Sequence, residues 1–493
     1  MFTRAHLRVL ASKNVLPITA IVLIAAVIRL FDFPHGYGFD PDATRDAIIA
    51  FEGASHPYFP LAGAFSSTGP FTFGPWYYLS LIMVEFLFKT PFAPWLLMTA
   101  ATLITVVAMY DIGRLVESRA LGYVLAGFAA LAPSEFVASG SLSNLSPVTL
   151  FAALTLWSST RILTTMRPGV WWYFVLGASL GLGINAHYQM AGLLIVPVLV
   201  WFFSSSRKVQ TALAVMLGVF LTFIPLLIFN ISHDWHTLRG VVEMYASRDR
   251  IYVPNSWKIY LGTFWPSLIQ FIFGTPILVS AALLLIVPAV LCFEAFRKLL
   301  PRTVWILAIV VFLNIIQLRY YWGERYFPYH YYLEPFLLFL VGYVVYRLAS
   351  IMRYGVVFSL LIGLSIGFSM VVFDYNRDRS FILAPDQTLH VVAALQANYP
   401  DNPIEVYKCD GDRGWIAEAT TYVMQFEKKP KSGRPVKLGM IDAICSYPLD
   451  QHGRKVVGTP FVDLSLASEN ALKQASWSAV TTEGVFKKSA KWY

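Results

Sequence analysis

Charge is what this sequence has least of. Only 14% of its 493 residues are Asp, Glu, Lys or Arg, where a soluble domain carries about 25%. A wholly water-soluble chain is excluded on that ground. Catalytic signatures are missing as well. There is no Gly-rich phosphate loop, no HExxH, no CxxC and no GxSxG, so nucleotide hydrolysis and zinc proteolysis have no support. No internal repeat, no low-complexity stretch and no alternating barrel pattern occurs. His233, Asp234 and His236 cluster, but nothing completes a metal set, and a divalent metal is not indicated.

What is present in excess is apolar mass: 57% hydrophobic and 16% aromatic residues, with a mean hydropathy of +0.58. It is gathered into runs of about 17–22 residues, the length that crosses a hydrocarbon core roughly 30 Å thick. Backbone groups in lipid must be satisfied within the segment, so these runs are helices. They fall near 15–31, 93–112, 120–138, 147–163, 170–188, 190–204, 210–230, 276–296, 303–319, 332–349 and 355–373, which gives eleven spans. Arg4, Arg8 and Lys13 precede the first run, which is long enough to span and has no small-residue cleavage site, so it reads as a span and not a removable signal.

Net charge is +9, and its distribution points to topology, not to nucleic acid. With the N-terminus in the cytoplasm, the inside loops hold Arg114/Arg119, Arg161/Arg167, Arg207/Lys208, Arg297/Lys298/Arg302 and Arg347/Arg353. All are short and basic, as the positive-inside rule requires. Gly74–Phe88 is apolar but short and carries Glu85. Counting it as a span would put the basic loops outside, so it reads as a helix lying on the outer surface. The acids otherwise keep to the outer loops. After Phe373 the composition turns polar, which divides the chain into a membrane domain, 1–373, and a small outer α/β domain, 374–493. Strand-like runs there are IEVYKC, VKLGMI and KVVGTPFVDL. Cys292 sits near the cytoplasmic end of a span, whereas Cys409 and Cys445 share the outer domain, where a disulfide between them persists.

The first outer loop holds the chemistry. Asp40-Pro41 reads as a helix N-cap followed by proline at the first helical position. Asp42 then stands in the first turn, and Arg45 and Asp46 lie three and four residues on, along the same face. One acid suffices as the cap, which leaves Asp42 unexplained by structure alone.

Here the sequence resembles the membrane glycosyltransferases of the GT-C fold, the superfamily of protein O-mannosyltransferases and lipid A aminoarabinose transferases. Arg29 followed by Pro41-Asp42-Ala43-Thr44-Arg45-Asp46-Ala47 matches that group's first-loop pattern without a gap, except that Ala43 stands where glutamate is usual. Phe59-Pro60-Leu61-x-Gly63, Gly74-Pro75-x-Tyr77-Tyr78, Ser143-Asn144-x-x-Pro147, Gly181-x-x-x-Asn185-x-His187-Tyr188 and Glu324-Arg325-Tyr326-Phe327-Pro328-Tyr329-His330-Tyr331-Tyr332 follow in order, all on the outer side. The outer domain is not covered.

The resemblance implies an inverting transfer of a sugar from a polyprenyl-phosphate carrier to a glycan, glycolipid or protein hydroxyl, by a monomer in the bacterial cytoplasmic (inner) membrane. It implies Asp42 as general base. Asp40, Arg45, His187, Tyr188, Glu324, Arg325, His330 and Tyr331 are the candidate substrate contacts, with cationic help at the leaving phosphate. The alternative is a transporter or flippase for a lipid-linked glycan, which would place ionisable residues near the bilayer midplane.

Overall fold

The computed structural model describes residues 16–31, 37–56, 58–66, 69–206, 208–247, 256–321, 325–350, 385–408, 414–426, 433–441, 455–458, 463–466 and 478–489. Glu324, Cys409, Cys445 and the expected span 355–373 lie outside them.

The chain is mostly helical. α1 (Leu16–Leu30) is followed by two loop helices, α2 (Pro41–Ser55) and α3 (Trp76–Phe88), and then by α4 (Ala93–Val116). The expected span 120–138 is not one straight helix. It consists of α5 (Arg119–Leu131) and α6 (Pro133–Gly140), bent by 51°, because Pro133 has no N–H to continue the ladder and its ring crowds the preceding turn. α7 (Val148–Thr164) and α8 (Val170–Ala186) come next, and the expected span 190–204 is a 3₁₀ turn (Tyr188–Leu194) leading into α9 (Ile195–Phe203). α10 (Val209–Ser232) precedes the expected second outer loop, which is more structured than its sequence suggests. That loop holds α11 (His236–Ser247) and α12, which is built from Trp257–Ile259, a π turn Tyr260–Phe264 and Trp265–Phe273. α13 (Ile277–Phe296), α14 (Arg302–Arg319), a 3₁₀ helix (Phe327–Leu333) and α15 (Glu334–Ala349) complete the bundle.

Five of these helical segments are long and apolar enough to cross a membrane, or six if the bent pair counts as one span. Leu213, Met216 and Phe220 on α10 and Leu278, Leu285 and Phe296 on α13 face outward uncovered, as lipid-facing surfaces do. α3 has 13 residues, about 20 Å of helix at 1.5 Å per residue, well short of the hydrocarbon thickness.

Charges mark the two ends of the bundle. At one end Asp111 binds Arg114 (2.5 Å) and Arg161 (2.6 Å), and Arg347 binds Glu117 (3.2 Å) and Glu294 (2.6 Å). Arg114, Arg161 and Arg347, from three of the five basic loops read from the sequence, make these pairs. One expectation is corrected. The acids do not all keep to the outer loops, because Glu135 and Glu334 are fully buried in the bundle near Arg29. Ser134 donates to Glu334 at 2.5 Å, and Arg29 donates to the carbonyls of Ala130 (2.8 Å) and Ala129 (3.3 Å) beside the bend.

The C-terminal segment folds as α16 (Pro385–Asn398), β1 (Ile404–Lys408), α17 (Gly414–Met424), β2 (Val436–Ile441), β3 (Lys455–Gly458), β4 (Asp463–Leu466), β5 (Ser478–Ala479) and α18 (Thr482–Ser489). The strand order is β3-β4-β2-β1-β5; β1 and β2 run parallel, and the other pairs are antiparallel. The run KVVGTPFVDL holds two strands instead of one, β3 and β4, which pair antiparallel. This unit packs on the back of α2. Phe51 meets Tyr422 and Phe426 edge-on, and the Tyr422 hydroxyl donates to the Pro91 carbonyl at 3.0 Å.

Candidate active site

Helix α2 separates its aspartates by direction. Asp40 is the N-cap and its carboxylate accepts the Ala43 N–H at 2.7 Å. Burial pushes its carboxyl up to about 6, partly offset by that hydrogen bond. Asp42, in the first turn, points outward with its side chain 70% exposed, and it accepts from Arg45 at 2.7 Å. Asp46, one turn further, is fully buried. It accepts from Arg45 (2.8 Å), Tyr77 (3.0 Å) and Tyr78 (3.0 Å). Burial raises its carboxyl and Arg45 opposes the rise.

Asp42 and Arg45 border a cavity of about 1300 Å³. Its first wall is the returning part of the first loop, where Phe65 bridges to Thr72 and Phe71 and Phe73 turn inward. Gly74 lets this loop press on α8: its N–H donates to the Asn185 carbonyl at 2.8 Å, and a Cβ there would lie 1.7 Å from Asn185 Oδ1. Gly181 has a similar reason, since its Cβ would meet Thr222 of α10 at 2.2 Å. The glycines of these motifs therefore serve close packing.

The second wall follows α8. His187 is the helix C-cap, stacked between Phe73 and Tyr329, each at 5.0 Å. Tyr188 donates to the Thr72 carbonyl at 2.6 Å, and Asn144 donates to the Ala186 carbonyl at 2.7 Å. The remaining sides are largely apolar: Phe223 and Leu226 of α10, Trp235, and Leu238 and Met244 of α11, with Tyr320 and Tyr321 at the end of α14. The pocket thus joins one exposed carboxylate and one guanidinium to a largely apolar cavity.

Of the sequence candidates, Asp42, Arg45, His187 and Tyr188 line this cavity. Asp40 stands behind it as the cap. Arg325, His330 and Tyr331 do not line it. Arg325 donates to the carbonyls of Leu318 (2.6 Å) and Tyr321 (3.3 Å) and lies over Tyr260 and Phe264, so it closes the C-terminal end of α14. His330 is buried against Phe264, with Nδ1 on the Tyr326 carbonyl at 3.1 Å, and Tyr331 stacks on Phe271. Tyr329 and Tyr332 line the cavity instead. The segment is a 3₁₀ helix, and its three-residue turn puts positions i and i+3 on one face. That spacing was the available signal. Asp46 and α11 were not anticipated as parts of the site. Among the described residues no group of three or more His, Cys, Asp or Glu is arranged to hold a metal ion.

Residues 74–229 match the family model described as dolichyl-phosphate-mannose-protein mannosyltransferase, a segment that begins after Asp42. No curated protein sequence matches the chain significantly. Among solved structures, ArnT from Cupriavidus metallidurans in the apo state superposes with a TM-score of 0.64 at 12% identity, covering 92% of this chain and 98% of that one. The same protein bound to undecaprenyl phosphate gives 0.60 at 13% identity, with 94% and 99% covered. At such identity the likeness is one of fold, end to end. The chain is thus similar in fold to ArnT along its length, and its residues 74–229 resemble the mannosyltransferase family.

Proposed function

We propose that the protein transfers a sugar from a polyprenyl-phosphate carrier to an acceptor hydroxyl at the outer face of the membrane, with Asp42 as general base. The observation that carries this reading is the cavity itself, largely apolar, suited to an isoprenoid and bordered by the Asp42–Arg45 pair. The crystal structure of ArnT bound to undecaprenyl phosphate, on the same fold, supports the carrier class. The acceptor oxygen bonds to the anomeric carbon as the bond from that carbon to the phosphate oxygen breaks. The electron pair leaves on the phosphate, and the hydroxyl proton passes to Asp42. Attack opposite the leaving group inverts the anomeric centre. Arg45 and His187 border the place where phosphate charge develops, and preorganised donors there lower the barrier.

The topology that accompanies this reading has a cytoplasmic N-terminus, eleven spans and the site at the outer end of a bacterial inner-membrane protein. Residues 1–373 form the transferase domain and 374–493 the outer domain, which rests on the back of the base-bearing helix. The chain is proposed to act as a monomer on a lipid-linked sugar.

The buried Glu135 and Glu334 favour a second reading, transport of a lipid-linked glycan, because ionisable groups inside a membrane bundle commonly mark translocation paths. One experiment separates the two. Purified protein is given a panel of polyprenyl-phosphate sugars, and release of free carrier phosphate is measured. A transferase cleaves one of them in an acceptor-dependent way; a transporter in vesicles moves the lipid and leaves the sugar attached.

A further inference from the structure

Arg45 is the one arginine or lysine among the described residues lining the cavity, and its geometry is unusually determined for a loop residue. Nε donates to Asp46 Oδ1 at 2.8 Å, and Nη2 lies 2.8 Å from the same oxygen. Asp46 is fully buried, and its oxygens also accept from Tyr78 (Oδ1, 3.0 Å) and Tyr77 (Oδ2, 3.0 Å). Both tyrosines are buried in the first turn of α3, so the neighbouring loop helix supplies fixed donors. Two nitrogens of the planar guanidinium are thereby committed to the protein side. The third, Nη1, reaches outward to Asp42 at 2.7 Å, where the carboxylate is mostly in solvent.

We propose that Asp46, Tyr77 and Tyr78 form a socket that aims Arg45 at the phosphate of the donor, and that in the empty site Arg45 rests on Asp42 instead. The idea rests on the transferase reading above and adds an order of events to it. An exposed ion pair is weak, whereas a phosphate entering a partly desolvated cavity makes charge-assisted bonds to a guanidinium that are stronger and directional. The arriving phosphate takes Nη1 from Asp42. The base then loses its partner at the moment when a donor is in place to react. A lysine cannot serve both sides, because a point charge lacks the fork that lets one edge stay in the socket while the other changes partner. Asp46, Tyr77 and Tyr78 are positioning residues in this scheme, since they touch Arg45 and not the substrate.

The test uses the full-length protein in lipid nanodiscs and compares binding of undecaprenyl phosphate with that of uncharged undecaprenol. The readout is the ratio of the two affinities, which a general loss of packing would not change. Wild type should prefer the phosphate. Arg45→Met should lower that preference by roughly 10–100-fold, the range for a charged hydrogen bond. Arg45→Lys should recover only a small part of it. Asp46→Asn should act in the same direction, and Tyr77→Phe and Tyr78→Phe, which keep ring and volume, should each lower it by about 2–5-fold. The phenylalanine variants keep the test decisive if Asp46→Asn fails to fold. A wild-type ratio in Arg45→Met, or in both phenylalanine variants, overturns the socket while leaving the transferase reading intact. A wild type that binds the alcohol as tightly as the phosphate overturns both.

Discussion

The two ends of the bundle use the same residue types to opposite effect. At one end Asp111, Glu117 and Glu294 are each held by arginines, with Trp157 and Tyr343 adding hydrogen bonds at 2.8 and 2.9 Å. Those charges are spent on one another, and they tie α4, α7, α13 and α15 together. At the other end Asp46 is held just as fully, but Asp42, four residues earlier on the same helix, keeps 70% of its side chain exposed at the rim of a cavity. Ion pairing by itself therefore says nothing about function. A carboxylate that is only half satisfied beside empty space does.

Two experiments press hardest on this contrast. Reporter fusions after residues 35 and 208 should lie on opposite sides of the membrane, the first outside and the second inside. A shared side would break the parity that puts the cavity at the outer face and would make α3 a span. Next in size is Asp42→Asn, which keeps shape and helix compatibility while removing the proposed base. Transfer should fall by about 10²–10⁴-fold, the usual share of general-base catalysis, with the melting temperature unchanged. Near-normal turnover in the variant would move the base elsewhere.

How far the sequence reached depends on what kind of contact decided each feature. Composition was enough for a helical membrane protein, because hydropathy acts along the chain, and loop charge anticipated that Arg114, Arg161 and Arg347 would share one end. The Asp40 cap was legible too, because proline at the first helical position marks where the helix begins. The shared face expected for Asp42 and Asp46 was not kept: Asp42 is 70% exposed and Asp46 is fully buried. Legibility was lowest where a fold contact decides. In the aromatic run before α15 the resemblance pointed to His330 and Tyr331, whereas the 3₁₀ turn sets Tyr329 and Tyr332 along the cavity. Legibility was low again for Asp46, since its burial depends on Tyr77 and Tyr78 from a helix some thirty residues away. Glu135 and Glu334 were missed because each sits alone in its own segment, and only the bend at Pro133 brings them to one place.

At the paired end the expected effect lies in stability and not in turnover. Arg347→Met removes the charged partner of Glu294, whose side chain is 8% exposed, and of the more exposed Glu117. Stranding a buried carboxylate costs several kcal/mol, but Arg347 is itself 28% exposed, and solvent screening reduces the loss to about 1–3 kcal/mol. Thermal unfolding in detergent should shift downward, while specific transfer by the folded fraction stays at the wild-type level. A fall in transfer at constant stability would mean that this end communicates with the site.

The smallest effect sharpens the comparison within α2 itself. Asp40→Asn should preserve both helix and transfer, since asparagine caps a helix about as well as aspartate and can accept the same Ala43 N–H. What should change is the dependence of stability on pH. Burial holds the Asp40 carboxyl at about 6 in the folded protein, above the ordinary value of 3.8 for an aspartate, so the folded state binds this proton more tightly than the unfolded chain does. The stabilisation from that proton is complete below about pH 4 and is lost as pH rises through 6. Wild-type protein should therefore gain thermal stability from Asp40 when acidified from pH 7 to pH 5. The asparagine variant, neutral throughout, should lack that increment and be at least as stable as wild type at pH 7. If the two proteins keep the same difference in melting temperature at both pH values, Asp40 does not titrate in this window. The cap would then be an ordinary ionised one, and the environment of Asp40 would no longer differ from that of Asp42 in the way the buried geometry requires.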